Sequence, residues 1–196
     1  MQKISTEEVK KLRDRTGLSV MQCKKALDEA DGDPEKALVI LRKKSSEIAD
    51  KKSQRSLGAG VITSYIHANN SVGAIVELSC ETDFVAKNDE FKTLAYEIAM
   101  QVAATDPQFL KQDDISEDVK KNAREVFLKE IADKPEGMKE KIIDGKLDSY
   151  FAEQILLEQQ FIKNPDLKIK DLINQATQKF GERIEIRRFI RFSTQN

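Results

Sequence analysis

The sequence predicts an α+β protein, with a three-helix module at residues 1–55 and an α+β core domain at residues 56–196. Apolar residues recur at helical spacing in the first part, whereas two strand-like segments and several further helical segments follow. The charge also shifts, from 14 basic and 10 acidic residues in 1–55 to 2 basic and 7 acidic residues in 56–110. Residues 51–60, polar and then glycine-rich, are typical of a linker.

The three N-terminal helices are predicted from their capping residues. Two begin with a serine three residues before Glu or Gln, a capping-box pair: Ser5 with Glu8, and Ser19 with Gln22. Gly17 ends the first helix, because glycine tolerates the left-handed conformation required there. Asp33 and Pro34 begin the third helix as its N-cap and first helical residue. Four apolar residues are expected to face inward from it: Ala37, Leu38, Leu41 and Ile48.

Val20 and Met21 lie at the start of the second helix, directly after a glycine-containing turn. These two side chains cannot both point inward together with the apolar residues that follow them on the same helix. One interpretation places both side chains in the core, as is common for Val and Met. The other makes them an exposed apolar docking patch beside Arg13, and the sequence leaves both interpretations open.

The core domain is predicted from two kinds of apolar pattern. Residues 61–67 and 72–80 show the period of two that is typical of strands, and Asn69-Asn70 between them supplies a hairpin turn. Residues 184–192 predict a third strand, with one face formed by Ile184, Ile186, Ile190 and Phe192. Helical spacing recurs in residues 86–103, 119–131, 147–162 and 167–180, the last ended by Gly181. These signals predict a three-stranded antiparallel sheet packed on one face by helices.

Composition and motifs argue against several classes of function. The 33 Lys and Arg residues nearly balance 34 Asp and Glu, which disfavours broad binding to nucleic acid or anionic membranes. No apolar run approaches the roughly 20 residues that span a bilayer. The single His67 and the distant Cys23 and Cys80 make a Cys/His zinc site unexpected, and no phosphate-binding loop occurs. Nothing here specifies an enzyme, a metal or a cofactor.

One segment, residues 81–91, combines an aromatic residue with carboxylates where the second strand ends and a helix begins. Thr82 or Asp83 can cap that helix, which places Phe84 and Val85 in its first turn. One interpretation makes Phe84 the top of the core stripe that contains Phe91. The other makes it a wedge, a rigid apolar ring that enters a pocket of a partner protein.

Four segments of the chain resemble the bacterial elongation factor Ts family. Residues 13–27, RDRTGLSVMQCKKAL, resemble its N-terminal signature, and residues 82–87, TDFVAK, resemble its second signature. Residues 156–162 and 188–192 resemble its C-terminal core. The resemblance covers nearly the whole chain, in the family's order, and the length is similar to that of the short form.

This resemblance implies a guanine nucleotide exchange factor for elongation factor Tu, binding its GDP-bound or nucleotide-free form. It implies a ubiquitin-associated-like N-terminal module that docks on the nucleotide-binding domain of the partner, through Arg13, Val20 and Met21. It implies that a second motif disturbs the magnesium and phosphate-loop contacts of GDP: Thr82, Asp83, Phe84 and Val85. Phe84 is then the wedge, and the remaining core surface holds a second domain of the partner. No catalytic residue, metal or cofactor is expected, and the location is cytoplasmic.

Two other functions stay open on the residues alone. The chain can be an adaptor without exchange activity, in which the segment around Phe84 has no role. It can also be an RNA-binding protein that uses Arg187, Arg188 and Arg191, although a charged strand edge that prevents aggregation accounts for these residues better. We expect no membrane partner and no direct nucleic-acid partner. A homodimer through the core is known for short-form members, and no sequence feature decides it here.

Overall fold

The computed structural model describes residues 4–131 and 135–194. Eight helices and five strands lie within these ranges, together with two short 3-10 turns at Gln112–Asp114 and Leu156–Glu158. In chain order the elements are α1 (Thr6–Thr16), α2 (Val20–Glu29), α3 (Pro34–Lys52), β1 (Ala59–Ile66), β2 (Val72–Cys80), α4 (Asp83–Ala86), α5 (Asp89–Thr105), α6 (Glu117–Glu130), α7 (Glu136–Gln154), β3 (Gln160–Phe161), β4 (Asn164–Lys168), α8 (Ile169–Phe180) and β5 (Glu185–Ser193). The predicted α+β class is confirmed.

The caps of the first three helices are confirmed. Ser5 and Ser19 each accept a hydrogen bond from the backbone three residues on, and the Glu or Gln there bonds back to the serine backbone. Asp33 caps α3 through the backbone amides of Glu35 and Lys36. Gly17 ends α1 with φ of 66°, a conformation that costs glycine little. The three helices enclose a small apolar cluster of their own, which includes Leu12, Leu27 and Leu41.

The three-stranded antiparallel sheet has the order β1-β2-β5, with β2 in the centre. The hairpin of β1 and β2 pairs Val61 with Leu78 and Tyr65 with Ala74, as the alternating pattern predicts. Asn70 in the connecting turn has φ of 57°, a left-handed conformation that asparagine tolerates. Residues of the inner face of β2 are buried: Ala74, Val76, Leu78 and Cys80.

In the second half of β5, the residues that face the helices differ from those predicted, because the strand contains a β-bulge. Arg187 is the extra residue between two halves of different register. One extra residue exchanges the two faces for every position beyond it. Ile190 and Phe192 are therefore exposed on the outer face of the sheet, and the prediction that they share a face with the buried Ile184 and Ile186 is wrong.

Helix α5 covers the inner face of the sheet, and α8 contributes to the same apolar core. Helix α5 contributes Phe91, Ile98 and Val102, and α8 contributes Ile169 and Ile173. All of these side chains are buried, and the ring of Phe91 meets that of Phe180 edge to face, with centroids 6.0 Å apart. Because β2 and α5 both belong to this core, the segment that joins them is held at both ends.

The helix predicted over residues 86–103 is confirmed as α5, but the expectation that it begins at a Thr82 or Asp83 cap is wrong, because a separate one-turn helix precedes it. The one-turn helix α4 is capped by Thr82, and α5 begins separately after Asn88, whose side chain accepts from the amide of Glu90 at 2.8 Å. Asn88-Asp89 is a capping signal that the sequence contains and the prediction missed. The consequence is that Phe84 lies on α4 and does not share the face of α5 that buries Phe91.

The helix predicted over residues 147–162 ends at Gln154, and a 3-10 turn and the β3–β4 hairpin follow. The apolar residues of this segment enter the core from irregular backbone, since Leu156 and Phe161 are buried. The fully buried amide of Gln101 bonds to this backbone, donating to the carbonyl of Gln160 at 3.1 Å and accepting from Ile162 N–H at 2.9 Å. A distant side chain thus supplies the partners that a helix would supply locally.

Helix α3 packs along α8 and joins the N-terminal helices to the core. The contact is polar at its centre, where buried Ser45 and Gln178 are hydrogen-bonded. Near the end of α3, Lys52 Nζ donates to the carbonyl oxygen of Gly181 at 2.7 Å. The ubiquitin-associated-like character of these helices and the domain boundary at residue 55 stay predictions. Across the described ranges, no helix has the length and apolar character needed to cross a membrane.

Candidate functional site

Phe84 projects from the one-turn helix α4 at the junction of β2 and α5. Its side chain is 81% exposed, although the next two residues, Val85 and Ala86, are buried against the core. The interpretation that Phe84 belongs to the core stripe of Phe91 is therefore wrong. A large apolar ring is presented to solvent on a short, well-anchored element, which we call the Phe84 corner (residues 81–87).

Thr82 holds the start of the corner. Its hydroxyl accepts from the amide of Val85 at 3.5 Å and donates to the carboxylate of Glu182 at 2.5 Å. The same carboxylate accepts from the backbone amides of Glu81 and Thr82, both at 3.0 Å. Glu182 lies about 100 positions away in the chain, in the turn after α8, and no local sequence signal pointed to it.

Glu81, within the corner, in turn accepts hydrogen bonds from residues outside it. Its carboxylate accepts from the amide of Arg183 at 2.6 Å and from the guanidinium of Arg55 at 3.3 Å. The backbone N–H of Arg183, and next to it the charge of Arg55, hold the pKa of Glu81 below its usual value. The carboxylate is thus ionised at neutral pH, and it ties the corner to the segment that follows α3.

The remaining polar groups of the corner are also satisfied. Lys87 Nζ donates to the carboxylate of Asp83 at 2.5 Å, and this contact lowers the pKa of Asp83. The buried Cys80 thiol donates to the carbonyl of Thr82 at 3.2 Å. Burial, followed by the charge of Glu182, raises the pKa of Cys80 to about 11, so the thiol is neutral at physiological pH. Phe84 is therefore an apolar group on a corner whose polar contacts are internal.

Val20 and Met21 form a second exposed apolar surface, at the N-terminus of α2. Met21 is 62% exposed and Val20 is 53% exposed, so the interpretation that both are core residues is wrong. Leu18 and Cys23 are buried instead. Arg13 is exposed nearby and lines a groove of about 290 Å³ together with Val20, Lys10 and Lys24. The sequence-predicted residues of this docking patch (Arg13, Val20 and Met21) are thus all accessible.

Two of the three arginines of β5, Arg188 and Arg191, form contacts within the protein, while Arg187 is exposed. Arg188 Nε donates to Glu77 at 2.6 Å across the outer face of the sheet. Arg191 donates to the carbonyl of Ala103 at 3.0 Å and lies 3.3 Å from the carboxylate of Asp106. These contacts reduce the positive charge that the strand offers to phosphate groups.

The described residues contain no group of three or more His, Cys, Asp or Glu side chains that could hold a metal ion. His67 lies after β1, where its Nδ1 is 3.0 Å from the hydroxyl of Tyr65. Exposed carboxylates, lysines and a neutral buried thiol do not form a nucleophile–base pair at the Phe84 corner. What the Phe84 corner presents to solvent is an apolar ring, the kind of group that anchors protein–protein contacts.

The sequence model of the family described as Elongation factor TS matches residues 46–196, a range that includes the Phe84 corner and the whole sheet. The chain belongs to the elongation factor Ts family. It is 47% identical to Elongation factor Ts of Thermotoga neapolitana, with 96% of each chain covered. It is 48% identical to Elongation factor Ts of Carboxydothermus hydrogenoformans, over 96% of this chain and 88% of that one. Elongation factor Ts of Thermodesulfovibrio yellowstonii is 49% identical, over 96% of this chain and 95% of the relative.

Proposed function

We propose that this member of the elongation factor Ts family is a guanine nucleotide exchange factor for elongation factor Tu. It acts by binding and contributes no catalytic residue, metal or cofactor of its own. Residues 56–196 carry the Phe84 corner, and residues 1–55 dock on the nucleotide-binding domain of the partner. Its location is cytoplasmic, where elongation factor Tu serves translation.

The exposure of Phe84 on a stiff corner is the observation that carries this proposal. A side chain held in one arrangement before binding loses little conformational freedom on binding, so more of its burial energy is available for the complex. Thr82, Asp83 and Val85 each have a role in that stiffness, through the cap, the Lys87 ion pair and burial in the core. Such a ring is suited to enter a gap between two elements of the GTPase.

The mechanism follows from linkage between two binding equilibria. GDP is held on a translational GTPase mainly by phosphate-loop amides, a lysine and a magnesium ion. Insertion of Phe84 displaces the elements that provide these contacts, so GDP binds less tightly. Because coupling is reciprocal, GDP weakens binding of this protein by the same factor. The protein therefore favours the nucleotide-free form and raises the rate of GDP release.

The docking patch supplies the second contact. Val20 and Met21 provide exposed apolar area, and Arg13, Lys10 and Lys24 provide positive charge around it. Two contacts made by one chain raise the effective concentration of each, so neither must be strong alone. The engaged arginines of β5 support a protein partner over RNA, since Arg188 and Arg191 already bond to Glu77 and Ala103.

Release of labelled GDP from purified elongation factor Tu, with and without this protein, tests the proposal. The wild-type protein is expected to accelerate release, and Phe84→Ala is expected to remove most of the acceleration. Met138→Ala is the matched control, because Met138 is also a large exposed apolar residue but lies on α7. Equal stimulation by wild type and Phe84→Ala contradicts the wedge, and no stimulation by the wild type contradicts exchange activity itself.

We further propose that the outer face of the sheet pairs with a second copy of this chain. Beside the Glu77–Arg188 ion pair, the described part of this face exposes large apolar residues from all three strands: Ile62, Ile66, Ile75, Ile190 and Phe192. Contiguous exposed apolar area of this kind is rare on a monomer. A two-fold contact places the same patch on both subunits, so the surface is self-complementary by construction.

Light scattering coupled to size-exclusion chromatography tests this dimer. The chain has a mass of 22.2 kDa, and the wild type is expected to elute at twice that value. Ile62→Asp introduces a charge on the exposed face without touching the core, so it is expected to yield the monomer with an unchanged circular dichroism spectrum. A wild type that stays monomeric at tens of micromolar overturns the dimer and leaves the exchange proposal intact.

A further inference from the structure

The turn after α8 meets the Phe84 corner through a pair of reciprocal carboxylate contacts. Glu182 accepts from two backbone amides and one hydroxyl of the corner, while Glu81 of the corner accepts from the amide of Arg183. Hydrogen bonds to an ionised carboxylate are shorter and stronger than those between neutral groups. The turn after α8 and the Phe84 corner, which are far apart in the chain, are therefore held together at the base of α4.

The same turn also contacts the end of the N-terminal helices. Arg183 donates from its guanidinium to the carbonyl of Arg55 at 2.6 Å, and Lys52 donates to the carbonyl of Gly181 at 2.7 Å. Residues 181–183 thus link the corner with the segment that leads from the docking patch to the sheet. They form a polar connection between the two surfaces that the proposed function uses.

We infer that Glu182 is a positioning residue for Phe84, an assignment that rests on the proposed exchange function. The side chain acts through Thr82. The Thr82 hydroxyl has one hydrogen, which it donates to Glu182, and its lone pairs then face the amide of Val85 that it caps. Glu182 thereby selects the rotamer of Thr82 that starts α4, and α4 sets the direction of the ring of Phe84.

A carboxylate fits this position because one oxygen accepts from the two backbone amides and the other accepts the hydroxyl hydrogen of Thr82. Glu182→Gln can keep one oxygen for the amides but turns an NH₂ group towards the hydroxyl, which then accepts and no longer has its hydrogen directed by Glu182. Glu182→Asp keeps two acceptor oxygens on a side chain one methylene shorter. The geometry therefore predicts that Glu182→Asp retains part of the ordering of the Phe84 corner and that Glu182→Gln retains little, although Gln is closer to Glu in size.

The absence of tryptophan from the sequence allows a direct measurement of the corner. Phe84→Trp introduces one fluorophore at the tip of α4, and its time-resolved anisotropy reports local motion in the free protein. Adding Glu182→Gln is expected to increase the amplitude of nanosecond motion, and adding Glu182→Asp to increase it less. Glu130→Gln is the matched control, since it makes the same substitution at another hydrogen-bonded carboxylate, which pairs with Lys146 and lies on α6. Unchanged anisotropy with Glu182→Gln overturns the inference.

Stimulated GDP release from elongation factor Tu, measured with Phe84 in place, provides the second readout. Glu182→Gln is expected to lower the maximal release rate at saturation by about tenfold, because a small misplacement of a positioned group has a large effect on rate. The half-saturating concentration is expected to change less, since the docking patch is intact. A mobile corner with an unchanged maximal rate overturns the positioning role. If the wild type does not stimulate release, the exchange proposal fails, and the anisotropy result still decides whether Glu182 orders the corner.

Discussion

Replacing Phe84 with alanine separates the energy that the ring contributes to this fold from the energy that it can contribute to a complex. The side chain is 81% exposed, so about one fifth of it is buried in the chain. With about 200 Å² for a Phe side chain and about 25 cal/mol per Å², the ring contributes about 1 kcal/mol to folding. The other four fifths correspond to about 4 kcal/mol when a partner buries them.

Phe91→Ala gives the opposite expectation and serves as the comparison. Phe91 has no exposed area and packs against Phe180, so its truncation is expected to cost about 3–5 kcal/mol of unfolding free energy. Phe84→Ala is expected to cost no more than about 1 kcal/mol, yet to weaken binding to nucleotide-free elongation factor Tu by about 10²- to 10³-fold.

Urea denaturation of each variant measures the first quantity, and titration against nucleotide-free elongation factor Tu measures the second. The change in unfolding free energy and the change in affinity are expected to be independent, because the ring of Phe84 has little contact with the rest of its own chain. If Phe84→Ala destabilises the protein as much as Phe91→Ala, the ring is part of the core. If its affinity stays within twofold of the wild type, the ring is not an anchor of the complex.

Two further predictions concern the docking patch and the buried thiol. Met21→Asp is expected to weaken the complex with elongation factor Tu at least tenfold, while the unfolding free energy changes by less than about 0.5 kcal/mol. Val39→Asp, at a position 65% exposed on α3, is the control and is expected to leave the affinity unchanged. Calorimetric titration measures both affinities, and equal losses for the two variants refute the docking patch. The pKa of Cys80 is raised to about 11, so at pH 8 iodoacetamide is expected to modify it about 100-fold more slowly in the folded than in the urea-unfolded chain, as mass spectrometry can follow. Because the folded pKa is raised, the stabilising contribution of the neutral thiol is present at pH values below about 9 and is lost as the pH rises towards 11, a loss that denaturation curves across this range detect. Equal alkylation rates in both states contradict the burial of Cys80.

Features that depend on a few neighbouring residues were predicted correctly. The capping boxes at Ser5 and Ser19, the left-handed Gly17 and the β1–β2 hairpin each follow from a pattern of three to nine consecutive residues. Their partners are close in sequence, so the energies that decide them are local. Asn88 is the exception, because its capping signal is equally local and was not predicted.

Features that depend on distant partners were mispredicted or missed. The bulge at Arg187 changes which residues of β5 face the helices, and only the pairing with β2 reveals it. At the end of α7, the carbonyl of Gln154 accepts from the amides of Gln108 and Phe109, which lie in another part of the chain. Glu182 reaches Thr82 from about 100 positions away, and no local pattern pairs the two residues.

The amino-acid sequence by itself determined the α+β class, the helix caps, the hairpin and the family signatures, because each is written in short-range spacing and residue chemistry. The tertiary structure alone decided that Phe84, Val20 and Met21 are exposed and that Phe91 is buried. Burial is a property of how elements pack against one another, and the same apolar residue can serve a core or a partner. Which of the two it serves depends on contacts that no local pattern contains.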